Sequence, residues 1–251
     1  MNTIELFSGT KSFSKVAESL GHKTFTIDNN VDLSPDQCAD FLPLPLCDFQ
    51  NESYDICWAS PPCTAFSVAS IGKHWTGGHR KYIPKSETAR LGIALLDRTI
   101  QWISIVQPKE WYIENPRGVM RKVIDNIFKK YGISDYRRVT VTYCQYGDDR
   151  MKPTDIWTNN RSWISRPICK NGDVCHVRAP RGSKTGTQGL KGAKERGVIP
   201  QSLFVEIFKH KEVKSGCDAN NDGIPPNIEY SVFGSPQQKV GDFTQTKLEV
   251  L

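Results

Sequence analysis

TIELFSGTKSFSKVAESLGHKTFTID, residues 3–28, reads as strand, tight turn, helix and strand. Thr3-Ile4-Glu5-Leu6-Phe7 has strand character, with β-branched and aromatic residues among its five. Ser8-Gly9-Thr10-Lys11 is a turn, and Phe13, Val16, Ala17 and Leu20 then recur at helical spacing. Gly21 stands where a helix C-terminus favours a left-handed backbone, and Lys23 to Ile27 resumes as a strand that ends at Asp28. Strand, crossover helix, strand is the opening of an α/β sheet.

Further along, the same alternation continues. Ser53 to Ala59 is a third strand, stopped by Ser60-Pro61-Pro62, and Thr88 to Val106 is a long amphipathic helix. Trp111-Tyr112-Ile113 is a strand broken by Glu114-Asn115-Pro116-Arg117-Gly118, Val119 to Tyr131 a helix, and Arg138 to Tyr143 a β-branched strand. The expected fold is an open, Rossmann-like α/β sheet with helices on both faces. Ligands in such sheets sit at the carboxyl ends of the strands. Ser8-Gly9, Asp28, Pro61-Pro62-Cys63 and Glu114-Asn115 each fall just past a strand, so they should gather on one edge. Beyond Trp163 the pattern changes. Residues 166–198 are rich in Gly, Lys and Arg with little periodicity, Ile199-Pro200-Gln201-Ser202-Leu203 opens a short helix to about Lys211, and the chain from Ser215 on is polar and loop-like.

Composition narrows the class. In 251 residues, 38% are hydrophobic and 24% charged, enough to build a core without disulfide staples. No run of 18 apolar residues exists to span a membrane, and the N-terminus lacks the features of a signal peptide, so a cytoplasmic protein is expected. Eight cysteines at irregular spacings read as reduced thiols, any of which is free to act as a nucleophile. Charge is uneven: residues 1–149 are neutral, residues 150–214 carry +9 and residues 215–251 carry −3. A neutral half followed by a basic block suits chemistry in one part and a polyanion partner in the other, or simply a solvated basic face.

Three features carry candidate chemistry. Cys63 follows two prolines that hold its loop rigid, and a nearby cation or helix N-terminus would favour its thiolate; the alternative is a small buried hydrophobe. Glu114 directly follows an apolar strand, where burial would raise its pKa and let it donate a proton. The Ser8-Gly9 turn offers backbone N–H groups, and Asp28 comes at the next strand end, about twenty residues on, where a carboxylate can bind ribose hydroxyls.

Taken together and in order, these pieces resemble the DNA cytosine-5 methyltransferase family. The resemblance rests on Glu5-Leu6-Phe7-Ser8-Gly9, Asp28, Cys47-Asp48-Phe49, Ser60-Pro61-Pro62-Cys63 and Tyr112-Ile113-Glu114-Asn115-Pro116-Arg117, over residues 3–159. It implies an S-adenosylmethionine-dependent enzyme in which Cys63 adds to C6 of a cytosine flipped out of DNA. Glu114 would hold the base, with Arg150 and Lys152 supplying cations. The cofactor would meet Phe7, Gly9, Thr10, Asp28, Asn29, Asp48, Phe49, Ser60 and Pro61. Asn115 and Pro116 would fix the loop that aims Glu114. DNA contacts would come from Ser67, Arg117, Arg178, Arg181, Lys184 and Gln188.

The domain expectation is a catalytic, cofactor-binding domain at 1–160, a small basic target-recognition region at 161–198, a returning helix at 199–211 and a polar tail at 212–251. Departures from the family are visible. Thr10-Lys11-Ser12 stands where glycines usually follow the first motif, and the Gln-x-Arg-x-Arg segment is altered to Arg150-Met151-Lys152. The recognition region is short, which implies a short or relaxed target. Cys169-x5-Cys175-His176, with Cys144 or Cys217 as a fourth ligand, offers soft donors, but the spacing is weak and simple buried thiols are the expectation; no metal is assigned. The family's settings are restriction-modification and self-protection in bacteria and phages, so a phage or prophage origin and a monomer acting on DNA are expected. The same chemistry on RNA, and a non-catalytic nucleic-acid-binding module that keeps the fold, are the rival readings.

Overall fold

The computed structural model describes residues 1–170, 172–177 and 192–215. Seven strands form the main sheet: β1 (Asn2–Leu6), β2 (Lys23–Asp28), β3 (Gln37–Cys38), β4 (Ile56–Ala59), β7 (Glu110–Pro116), β8 (Arg137–Thr142) and β9 (Pro153–Thr158). Their order is β3-β2-β1-β4-β7-β9-β8. The pairs from β3 to β7 are parallel, while β9 runs antiparallel to both of its neighbours. A small hairpin of β5 (Trp75–Thr76) and β6 (Ile83–Pro84), preceded by the short helix α2 (Ile71–His74) and joined through α3 (Gly78–Lys81), lies outside this sheet. Connections leave β1 toward β2 on one side, and the later strands add on the other, so a switch point lies between β1 and β4.

The alternation of side chains along each strand divides the core in two. Ile4, Leu6, Cys57, Ala59, Trp111 and Ile113 face helices α4 (Glu87–Val106) and α5 (Met120–Lys130), which contribute Leu96, Ile100, Ile103, Ile124 and Phe128. Ile56, Trp58, Tyr112 and Ile156 face α1 (Ser12–Ser19) and α7 (Gln201–Ser215), which contribute Phe13, Val16, Leu203, Phe204 and Phe208. Ser86 starts α4 by accepting the Ala89 N–H on its side chain, as a helix N-cap should. The expected α/β sheet with helices on both faces is the fold of this chain.

Four of these elements differ from the sequence reading. Glu114, Asn115 and Pro116 do not break the strand after Ile113. They extend β7 by pairing with Ile156, Asp155 and Thr154 of β9, although β4 has already ended opposite Ile113. No strand is expected from the sequence at 153–158, because Pro153 and Asp155 both depress strand propensity. Pro153 occupies the first position of the strand. Asp155 is fully buried, where it accepts from Arg121 and from Thr140 Oγ1 at 2.8 Å. A two-turn-or-less helix α6 (Ala193–Gly197) also appears in the stretch that has no periodicity, and α7 runs beyond Lys211. Among the described residues no helix is long and apolar enough to cross a membrane.

Candidate active site

The loop after β4 carries Cys63. Ser60 leaves the strand with its N–H on the Leu6 carbonyl (3.2 Å), and its hydroxyl accepts from Trp58 Nε1 (2.9 Å). The Cys63 carbonyl accepts the N–H groups of Phe66 and Ser67 at 3.0 and 3.1 Å, curling the loop into a compact turn. Two staples fix that turn to β7 and the residues after it. Asn115 Nδ2, fully buried, donates to the Pro61 carbonyl at 2.9 Å. Val119 N donates to the Phe66 carbonyl at 2.8 Å, and a β-bridge joins Ser67 to Gly118. Gly118 is required there, because a Cβ on it would stand 2.1 Å from the Phe66 carbonyl oxygen.

Cys63 is exposed at the mouth of this arrangement, with Glu114 buried behind it. Glu114 accepts from the Tyr143 hydroxyl at 3.2 Å. Burial pushes its carboxyl pKa up, against the pull of the Lys152 cation and of hydrogen bonds from Tyr143 and Ser60. Loss of surrounding water pushes the Cys63 thiol up as well. The Glu114 charge adds to this, while Lys152 and Arg196 oppose it. Lys152 is itself held below the ordinary lysine range by burial, with Glu114 and Cys63 pulling the other way. The thiol, the carboxyl and the ammonium are therefore near enough to bias one another's protons. The sequence expectation that a nearby cation would favour the thiolate holds for the Lys152 and Arg196 contributions; desolvation reverses the net direction.

The two cations expected here both lie over the Tyr143 ring but take different partners. Lys152 reaches over the Tyr143 ring (4.7 Å to its centroid) and donates to the Arg196 carbonyl at 2.8 Å. Arg150 is buried and paired with Asp148, and it donates to the carbonyls of Glu195, Arg196 and Val198. Its fork ties the α6 segment to the turn before β9. Tyr143, which the sequence offered only as a strand end, joins the group; an aromatic hydroxyl at the carboxyl end of β8 was the available signal.

A second cluster forms around the β1–α1 turn. Phe7, Gly9 and Lys11 all have left-handed backbones, at φ 58°, 48° and 55°. Gly9 N donates to Asp28 Oδ2 (2.8 Å) and Asn30 N to Asp28 Oδ1 (2.9 Å), so the carboxylate holds the turn against the end of β2. Thr10 and Ser12 share a hydroxyl hydrogen bond at 2.9 Å, and Lys11 Nζ donates to the Ser34 carbonyl at 2.6 Å. Phe7 packs edge-on against Phe41, with 5.1 Å between ring centroids. Asn29 and Asp48 are exposed, whereas the Phe49 ring is buried against Trp102. Ser8 Oγ and Asn115 Oδ1 are buried polar atoms with no hydrogen-bond partner in the protein. Such atoms are rare, and here they mark the carboxyl edge of β1 and β7 as polar ground suited to a ligand.

Of the residues expected to touch DNA, Ser67 and exposed Arg117 flank Gly118 on the rim beside the Cys63 loop, where Arg117 N donates to the Pro153 carbonyl at 2.9 Å. Arg178, Arg181, Lys184 and Gln188 lie outside the described residues, as does Cys217. Cys144, Cys169, Cys175 and His176, weighed from the sequence as a soft ligand set but expected as simple buried thiols with no metal assigned, converge with their ligand atoms all within 4.8 Å of one another, Cys175 exposed rather than buried.

No protein-family model matches the chain. A protein of Frog virus 3 (isolate Goorha), named "Probable DNA (cytosine-5)-methyltransferase", is 30% identical over 231 residues, covering 83% of this chain and 99% of its own length. Among solved structures, the S. pombe Dnmt2 methyltransferase is 15% identical with a TM-score of 0.46, over 66% of this chain and 52% of that one. The Entamoeba histolytica methyltransferase EhMeth is 17% identical with a TM-score of 0.45, over 63% of this chain and 52% of that one. The chain spans about half the length of these solved structures.

Proposed function

The chain belongs to the DNA (cytosine-5)-methyltransferase family, and from that premise we propose that it methylates C5 of cytosine in DNA, with S-adenosylmethionine as donor and Cys63 as the covalent nucleophile. The observation that carries this reading is that the buried Asn115 Nδ2, donating to the Pro61 carbonyl at 2.9 Å, holds the Cys63 loop against the strand that carries Glu114, with Lys152 close enough to bias both. A stacked base cannot enter such a site, so the target cytosine is flipped out of the duplex.

Cytosine C5 is a poor nucleophile until a thiolate adds at C6. In that step the Cys63 Sγ–C6 bond forms, and the C5–C6 π electrons become available at C5. Glu114 is suited to hold ring N3 in its protonated form, which its burial favours. Protonating Glu114 also removes the negative charge that holds the Cys63 thiol up, so gripping the base and arming the sulfur favour each other. Lys152 then sits beside a thiolate rather than a carboxylate and stabilises it. After C5 has gained its methyl, the C5 proton leaves, the C5–C6 double bond re-forms, and the sulfur is expelled as thiolate.

The residues of the β1–α1 turn fit the donor. Phe7, Gly9 and Thr10, with Asp28 and Asn29 at the end of β2, would hold it, aided by the backbone around Asp48-Phe49 and by Ser60-Pro61. The unpartnered, buried Ser8 Oγ and the left-handed backbone at Gly9 support this placement. When bound, the donor supplies an electrophilic methyl group. Arg117 and Ser67, with the basic block downstream, would meet the phosphates and bases.

DNA containing 5-fluorocytosine tests the proposal, because fluorine at C5 cannot leave as the proton does. Incubation with S-adenosylmethionine should give a protein–DNA adduct that survives denaturation, and Cys63→Ala should give none. An adduct that persists in Cys63→Ala, or wild-type protein that methylates DNA without ever forming one, would remove Cys63 from the role. Preference for matched RNA over DNA would overturn the choice of polymer.

A further inference from the structure

Four soft ligand atoms meet where the chain turns away from the sheet toward its basic segment. Cys144 lies in the 3-10 turn Tyr143–Tyr146 after β8, while Cys169, Cys175 and His176 come from the segment that follows β9. Cys169 Sγ is 3.2 Å from Cys175 Sγ and 3.3 Å from His176 Nδ1. Cys175 Sγ is 3.7 Å from Cys144 Sγ and 3.7 Å from His176 Nδ1. A tetrahedral zinc ion, with Zn–S about 2.3 Å and Zn–N about 2.0 Å, spaces its ligand atoms by about 3.5–3.8 Å. One ion at the centre of this group reaches all four with small adjustments.

We propose that Cys144, Cys169, Cys175 and His176, through Nδ1, form a structural zinc site that pins the base of the basic segment to the wall of the active site. Three thiolates and one imidazole complete a tetrahedron and leave no position for water or substrate, which is the pattern of a structural rather than a catalytic centre. The surroundings fit a thiolate cluster. Gln145 Nε2 donates to Cys175 Sγ at 3.4 Å, so a neutral N–H faces the sulfur. Cys169 N donates to Thr142 Oγ1 at 3.0 Å, fixing its backbone on the end of β8. Lys170 N donates to Asp173 Oδ2 at 2.8 Å and closes the turn that brings Cys175 back toward Cys169. All four cysteine and histidine positions are otherwise unexplained: the cysteines are not in disulfides, and none of the four takes part in the chemistry at Cys63.

The placement gives the ion a task. Cys144 directly follows Tyr143, whose hydroxyl donates to Glu114, and Val177 N donates to the Asp149 carbonyl at 3.0 Å just before Arg150. Metal ligation would lock residues 169–177 onto the elements that carry Tyr143, Arg150 and Lys152. It would also fix the point from which the chain enters the Lys- and Arg-rich sequence beginning at Arg178. Spacing alone left the site a weak signal, because His176 abuts Cys175 and the sequence does not choose between Cys144 and Cys217 as the fourth ligand.

The full chain, purified under reducing conditions without added metal, should contain one zinc ion per molecule by mass spectrometry of the elements. Cys175→Ser and His176→Ala, at positions outside the core, should each lose most of that metal while remaining folded by circular dichroism; Cys47→Ser should keep it. Replacing zinc with Co²⁺ should give the strong thiolate-to-metal absorption of a tetrahedral sulfur site in the wild type, and a chelator should lower Tm. Protein that carries no zinc and develops no such absorption with Co²⁺ overturns the proposal. So does peptide mapping that finds a Cys169–Cys175 disulfide, or unchanged metal content in both variants. These readouts do not depend on methyl transfer.

Discussion

At the scale of single residues, the reactive thiol is set against its own environment. Cys63 is held toward its neutral form by desolvation and by Glu114, and the Lys152 cation opposes the rise at both the thiol and the Glu114 carboxyl. The rate should therefore rise with pH as the thiol ionises. Lys152→Gln removes the cation that favours the thiolate, so the rising limb of the kcat/KM profile should move to higher pH, with activity at neutral pH falling. Arg150→Gln should behave differently, since its guanidinium is engaged by Asp148 and by the carbonyls near α6. An unchanged profile in Lys152→Gln would show that the ammonium does not act on the sulfur.

Elements are joined by a small number of buried polar ties, and one of them titrates. Glu5 on β1 accepts from Ser14 Oγ (2.6 Å) and from the N–H groups of Ser14 and Phe13, so it satisfies the first turn of α1 from outside the helix. Burial raises its pKa from 4.5 to about 7, despite those hydrogen bonds. The folded chain thus holds a proton that the unfolded chain releases. The stabilisation from that proton is complete below pH 4.5 and lost as pH rises through about 7, a change of about 3 kcal/mol by linkage. Glu5→Gln cannot lose a proton. Urea unfolding from pH 4.5 to 8 should show wild type losing stability relative to Glu5→Gln as pH rises; parallel curves would mean the carboxyl is not protonated in the fold.

Across the whole molecule, the last described helix closes the core that the first one opens. Phe204 of α7 packs edge-on against Trp58 (4.8 Å) and Phe13 (5.5 Å), and Phe208 stacks on Phe13 (5.3 Å). Residues nearly two hundred positions apart thereby cover one face of the sheet, and the Ile199 N–H reaches Ser12 Oγ at 3.3 Å. Phe204→Ala should cost about 3–5 kcal/mol, the range for emptying a fully buried aromatic site. A denaturation midpoint that does not move would show that α7 is dispensable to the core.

The strand–turn–helix order, the cysteine after two prolines and the Glu-Asn-Pro stretch were legible because local propensity, periodicity and Pro/Gly punctuation act over a few residues. They placed β1, α1, α4 and α5 and named Cys63, Glu114 and Asn115. The β9 strand was not legible, since Asp155 belongs in a sheet only once Arg121 and Thr140 are folded against it. Arg150 and Lys152 likewise reach the carbonyls of Glu195, Arg196 and Val198 only once the chain is folded, and Cys144 meets Cys169, Cys175 and His176 the same way. Local sequence specifies what the backbone prefers. Only long-range packing decides which polar groups are buried together, and burial is what sets their charge and their chemistry.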